Sequence, residues 1–120
     1  FGLLHAQNPG ESPLGLVAAA LVGLVFCFSI WLTGSLYWAI GMHAAWDWTQ
    51  SYLFGVADSG LRMQGHLLQT HSAGNIWLSG GTTGPEGSVL VLVVLALMTL
   101  GLYLAWGRRP ALRGKRSQFA

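Results

Sequence analysis

Residues 14–31 read LGLVAAALVGLVFCFSIW, eighteen positions without a charge. That is close to the roughly 20 residues an α-helix needs to cross about 30 Å of hydrocarbon, so the stretch predicts a transmembrane helix. Gly15, Ala19 and Gly23 recur every four residues along it and put a strip of small side chains where a neighbouring helix can approach closely.

The composition carries the same reading to the whole chain. Of 120 residues, 52% are hydrophobic and 8% charged, against roughly a quarter charged in soluble domains. Too little polar surface remains to coat a water-soluble globule, and the aromatic side chains suit the two membrane interfaces. The expected fold class is all-α, a polytopic transmembrane helix bundle forming the C-terminal part of a larger one. Residues 1–107 form its membrane domain and residues 108–120 a basic tail. Arg108, Arg109, Arg113, Lys115 and Arg116 lie in that tail, which predicts a multi-pass cell-membrane protein with a cytoplasmic C-terminus and membrane lipid, not nucleic acid, as its surroundings. The single cysteine, Cys27, lies within the apolar stretch and leaves no intrachain disulfide to form.

Upstream, residues 1–5 read as the end of a helix closed by the Pro-containing segment 6–13 (AQNPGESP), and the absence of an initiating Met predicts a natural chain that extends further, with upstream helices as partners. Downstream, a break at residues 32–35 leads into a second apolar stretch, 36–54. Residues 55–86 are mixed, holding Asp58, Arg62, His66, His71 and Asn75, and no regular structure is assigned to residues 56–87. Thr83 and Glu86 have the spacing of a capping box for the last span, 88–106, which is apolar on all sides and predicts a lipid-facing helix. The orientation of the tail sends residues 36–54 outward from the cytoplasmic side and residues 14–31 inward.

The second stretch holds the chemistry. His43 and Asp47 are spaced i, i+4 and share one helix face, with Leu36, Ile40, Gln50 and Phe54 on the same stripe. His43 lies roughly 10 Å along the helix from Leu36 at about 1.5 Å per residue, a depth at which polar groups face a bundle interior. The pair either joins helices by hydrogen bonding or works as a functional site. Phe1 and His5 are also i, i+4, so the Phe1 ring can restrict the imidazole. His66 and His71 read as solvated or interfacial. Among the carboxylates, Glu11 sits in a proline-flanked loop and Glu86 reads as a helix cap, so none presents itself as a base that deprotonates water.

The segments FGLLHAQNPGESP, TGSLYWAIGMHAAWDW and WLSGGTTGPEGS, in this order and spacing, resemble the CPBP family of intramembrane endopeptidases, which includes type II CAAX prenyl proteases and bacteriocin-processing or self-immunity proteins. The resemblance runs to about residue 107. The family carries Glu-Glu-x-x-x-Arg, Phe-x-x-x-His and His-x-x-x-Asn/Asp motifs on separate helices. Phe1 to His5 matches the second and His43 to Asp47 the third; the first is missing from this chain.

The resemblance implies an endopeptidase, of metallo- or glutamic type, that cleaves membrane-associated peptides such as CAAX-type prenylated tails or leader peptides. A glutamate of the missing motif would activate water, with His5, His43 and Asp47 as catalytic helpers and Phe1 and Gln50 in support. His5, His43 and Asp47 are equally the candidate ligands for zinc or another divalent metal. As a carboxylate, Asp47 more naturally orients His43 or holds a metal than donates to an oxyanion. Alternating spans place His5 and His43 towards opposite ends of their helices, which a short, tilted or broken upstream helix would reconcile. The 120-residue chain alone is expected to be inactive. The rival readings are a non-enzymatic membrane immunity or scaffold protein of the same fold and a histidine-based metal or haem site in a membrane carrier.

Overall fold

A computed structural model describes residues 1–107. The basic tail, residues 108–120, with the orientation argued from it, lies outside the described residues. Within them the chain is all-helical apart from loops and one isolated antiparallel bridge between Asp58 and Leu61.

The first long helix, α1, spans Pro13–Thr33. Ser12 starts it: its Oγ accepts the Gly15 N–H at 3.1 Å, and Pro13 occupies the first turn, where no backbone donor is needed. Gly34 closes it in a left-handed conformation, donating its N–H to the Ile30 carbonyl at 2.8 Å. The last helix, α4, covers Leu90–Leu102 and continues as a π-helical turn over Tyr103–Gly107. Both α1 and the continuous helix Leu90–Gly107 are long and apolar enough to cross a membrane.

Helices α1 and α4 share the core. Ala18 and Val25 meet Val91, Leu95 and Leu102, with Val22 and Met98 beside them. These side chains recur three and four residues apart on each helix, which lets their ridges interlock. The other side of α4 faces outward, as expected, with Leu97 63% and Leu104 54% exposed. Within the two spans, the Ser29, Thr33 and Thr99 hydroxyls donate to the carbonyls of Phe26, Ser29 and Leu95, so each polar group is satisfied inside its own helix.

The strip of small residues on α1 is covered otherwise than expected. Residues Gly2–Gln7 form a 3-10 segment that lies along the middle of α1, so close that a Cβ on Gly2 would stand 3.0 Å from Ala20, while Phe1 covers Gly23. Gly15 meets Thr83 instead. Small side chains permit close approach by any backbone, and here a short turn and a loop make that approach.

The second apolar stretch becomes α2, Tyr37–Asp47, and changes at Trp48 into a π-helix that ends at Phe54. This alters the 3.6-residue repeat from Trp48 onward, and the stripe that the spacing predicts does not meet a single environment. Leu36 and Ile40 stand exposed, His43 and Asp47 border a cavity, and Gln50 is buried against another segment.

Between α2 and α4 the chain is mostly irregular. Its one short helix, α3, spans Ile76–Ser79. The Leu67 and Leu68 N–H groups and the Thr70 hydroxyl donate to the carbonyls of Tyr52, Leu53 and Phe54, which closes the free end of the π-helix. The capping box read at Thr83 and Glu86 does not form. Residues Pro85–Gly87 make a separate 3-10 turn and α4 begins only at Leu90, so Thr83 donates to the Gly10 carbonyl and Ser88 serves the helix start, its Oγ accepting the Leu90 N–H at 3.0 Å.

Candidate active site

A cavity of about 480 Å³ opens between the N-terminal turn, α1, α2 and the loop that follows α2. Its walls are largely apolar: Phe1, Val22, Phe26, Met42, Trp46, Leu95 and Met98. Into it project two histidines, His5 and His43, and three carboxylates, Asp47, Asp58 and Glu86, together with Asn8, Ser51 and Ser59. Small-molecule and substrate sites have this character, a few convergent polar groups within an apolar wall.

His5 and His43 meet through Phe1. The Phe1 ring centroid is 4.8 Å from that of His5 and 5.4 Å from that of His43, and Phe26 stands 5.4 Å from His43 on the α1 side. The distance along the bilayer that alternating spans predict between the two imidazoles is removed because the N-terminal turn lies beside the midpoint of α1, where Phe1 covers Gly23. His5 Nδ1 is 3.2 Å from the Phe1 carbonyl. A carbonyl only accepts, so Nδ1 carries the hydrogen and the neutral ring keeps Nε2 as an acceptor. His43 Nε2 lies 3.5 Å from Asp47 Oδ2, which orients His43 and leaves its Nδ1 free.

Two of the carboxylates were not singled out for this site by the sequence. Asp58 accepts from Ser51 Oγ at 3.0 Å and belongs to a tight turn in which Asp58 and Leu61 exchange backbone hydrogen bonds, both 2.8 Å. Ser59 and Gly60, its two central residues, both have positive φ, 45° and 78°. Gly60 must be glycine on a second count: its backbone packs against Gly10, and a Cβ there would stand 2.5 Å from the Glu11 nitrogen. Burial pushes the Asp58 carboxyl up to about 6, and the negative charges of Asp47 and Glu86 add to the shift against the hydrogen bond from Ser51.

Glu86, expected as a cap, points inward instead. Its Oε1 accepts from Trp46 Nε1 at 2.6 Å and Gln50 Nε2 at 3.3 Å, and its Oε2 accepts from the Ser59 hydroxyl. Ser59 is itself tied to the N-terminal segment, its carbonyl accepting from Asn8 Nδ2 at 2.8 Å. The sequence sign of this arrangement was negative: a glutamate between a Gly-rich loop and an apolar span whose helix starts only at Leu90, with Ser88 Oγ accepting the Leu90 N–H.

The remaining candidates lie elsewhere. Gln50 is buried and meets Glu86 from behind, without lining the cavity. Glu11 folds back over the start of α1, its Oε1 accepting the Ser12 N–H at 2.9 Å. His71 is exposed. His66, read as solvated or interfacial, is half-buried: it packs against Gly55 with Nδ1 buried and unpartnered, because the loop folds back onto the end of the π-helix. Among the described residues no three His, Cys, Asp or Glu side chains form a group that could hold a metal ion.

The chain is helical, with two helices long and apolar enough to cross a membrane and a cavity in which imidazoles and carboxylates meet among apolar walls. The family model described as type II CAAX prenyl endopeptidase Rce1-like matches residues 1–49, a span that includes both the Phe1–His5 and His43–Asp47 motifs and agrees with the resemblance those motifs carry. No curated protein and no solved structure matches the chain.

Proposed function

We propose that the full protein, a polytopic bundle of the cell membrane with a cytoplasmic C-terminus, is an intramembrane endopeptidase that hydrolyses a peptide bond in membrane-associated substrates, prenylated CAAX-type tails or leader peptides. The observation that supports this is the meeting of His5, His43 and Asp47, from two separate segments, at one cavity with apolar walls. A lipidated tail partitions into the same hydrocarbon as those walls, which brings its scissile bond to the site.

In this reading His5 holds the attacking water through Nε2, since Nδ1 is committed to the Phe1 carbonyl. His43, oriented by Asp47, presents Nδ1 to the amide oxygen; with both ring nitrogens protonated it donates to the oxyanion that forms as water adds. A glutamate of the upstream motif takes the proton of that water and returns it to the amine as the C–N bond breaks. Phe1 holds both imidazoles in place, and Gln50 supports the site from behind Glu86. The steps use side chains alone and are routed through no metal.

The test is cleavage of a fluorescence-quenched peptide with a farnesylated CAAX end by the full-length protein in vesicles. His43→Ala is expected to abolish cleavage while leaving insertion intact. Unchanged cleavage would remove His43 from the site, and no cleavage by the unaltered protein would favour a non-enzymatic immunity or scaffold role.

A further inference from the structure

Among the described residues, Glu86 is the carboxylate with the most hydrogen-bond donors: the Trp46 indole, the Gln50 amide and the Ser59 hydroxyl, drawn from α2, its π-helical continuation and the turn after it. We infer that Glu86 is a positioning residue that holds α2 at the rotation which turns His43 and Asp47 into the cavity. The inference deepens the peptidase reading and rests on it for its kinetic consequences.

The geometry of the helix carries the argument. Trp46 stands about 60° around the axis from His43 and about 100° from Asp47, so a group gripping Trp46 from the side controls where both neighbours point. Gln50 lies one turn further on, and Glu86 Oε1 accepts from both, which fixes the helix at two heights. A rotation of roughly 20° would carry a side-chain end about 6 Å from the axis through about 2 Å. Displacements near 1 Å in a reacting geometry cost on the order of 100-fold in rate.

A carboxylate makes the strongest clamp. Its two oxygens accept from all three donors, whereas a glutamine loses the charge that strengthens those bonds and, with its oxygen kept for the two N–H donors, makes the Ser59 hydroxyl accept instead of donate. The opposing side of the clamp is equally fixed. Ser59 stands in a turn with φ 45°, a strained conformation for serine, and that turn is tied to the N-terminal segment through Asn8. Glu86 therefore joins α2 to the segment that carries His5, and the two imidazoles are held relative to one another across it.

The experiment compares Glu86→Gln, Trp46→Phe and His43→Ala in the full-length protein, using the farnesylated peptide and following the Trp46 indole N–H and His43 ring signals by NMR in detergent micelles. Glu86→Gln is expected to lower kcat by 10- to 100-fold with KM changed less than about twofold, and to move both signals. Trp46→Phe, which keeps an aromatic ring but removes the N–H donor together with part of the indole, is expected to lower kcat about 10-fold and carries the kinetic test if Glu86→Gln fails to accumulate. If His43→Ala abolishes cleavage and Glu86→Gln leaves kcat unchanged, the positioning role is overturned and the peptidase reading stands. If the unaltered protein does not cleave the peptide, the peptidase reading falls, and if His43→Ala leaves cleavage unchanged, His43 leaves the site; in either case Glu86 is judged by NMR alone: His43 signals that move in Glu86→Gln support the clamp, and signals that stay overturn it.

Discussion

Residues 1–49 and residues 55–88 both supply polar groups to the cavity, but in opposite ways. The first region gives His5, His43 and Asp47 from helical segments, where partners stand four residues apart and a repeat of 3.6 reveals them. The second gives Asp58, Ser59 and Glu86 from turns, where no period exists, and Glu86 finds its partners far along the chain, Trp46 across 40 residues and Ser59 across 27. A helix advertises its functional face locally. A loop does so only once its docking is known.

The contrast is sharpened first at its strongest point. Loss of Asp47 as the partner of His43 (Asp47→Ala) is expected to cut peptide cleavage by about 100-fold or more in the vesicle assay, in the range of a lost acid–base or electrostatic contributor. Retention of most activity would shift the weight of the site towards the loop. Next in size, Gly60→Ala puts a Cβ onto the Glu11 backbone at φ 78° and is expected to cost roughly 2–4 kcal/mol, read as a lowered midpoint of unfolding in mixed micelles. An unchanged midpoint would show that the turn at Asp58–Leu61 is not packed as described.

Smaller effects separate bonding from backbone strain inside the same turn. Both Ser59→Ala and Ser59→Gly remove the hydroxyl that Glu86 accepts from, but only glycine relaxes φ 45°, so the alanine variant is expected to be less stable by about 1 kcal/mol. Asp58 adds a dependence on acidity. Its carboxyl sits at about 6 in the fold against 3.8 without it, so the folded state binds the extra proton. Stability is therefore expected to fall as pH rises from about 4 to about 6 and to level off above, and Asp58→Asn should flatten that slope in pH-resolved unfolding. Least of all, His71→Ala, at an exposed position away from the cavity, is expected to change cleavage by less than about twofold.

The mistaken expectations have one physical origin. Thr83 and Glu86 have capping-box spacing, and only the later start of α4 at Leu90 deprives that spacing of its helix. The stripe from Leu36 to Phe54 obeys the right period until Trp48, where the π-helix changes it. The small residues of α1 correctly marked a close approach, but their size carries no record of what approaches, and here it is the turn Gly2–Gln7 and Thr83. The polar neighbours of His66 left solvated and interfacial placements open, and the carbonyls of Tyr52 to Phe54 draw its loop inward and half-bury it.

By itself the sequence determined the apolar class of the chain, the two long helices and the i, i+4 pairs Phe1–His5 and His43–Asp47, because hydrophobic length and helical periodicity act over neighbouring residues. Tertiary structure alone decided that His5 and His43 share a cavity, that Glu86 turns inward to the Trp46 indole, and that Asp58 lies where burial and two other carboxylates raise its pKa. Those outcomes depend on which distant backbone segments can approach closely enough to exchange hydrogen bonds, and that is settled by packing in three dimensions.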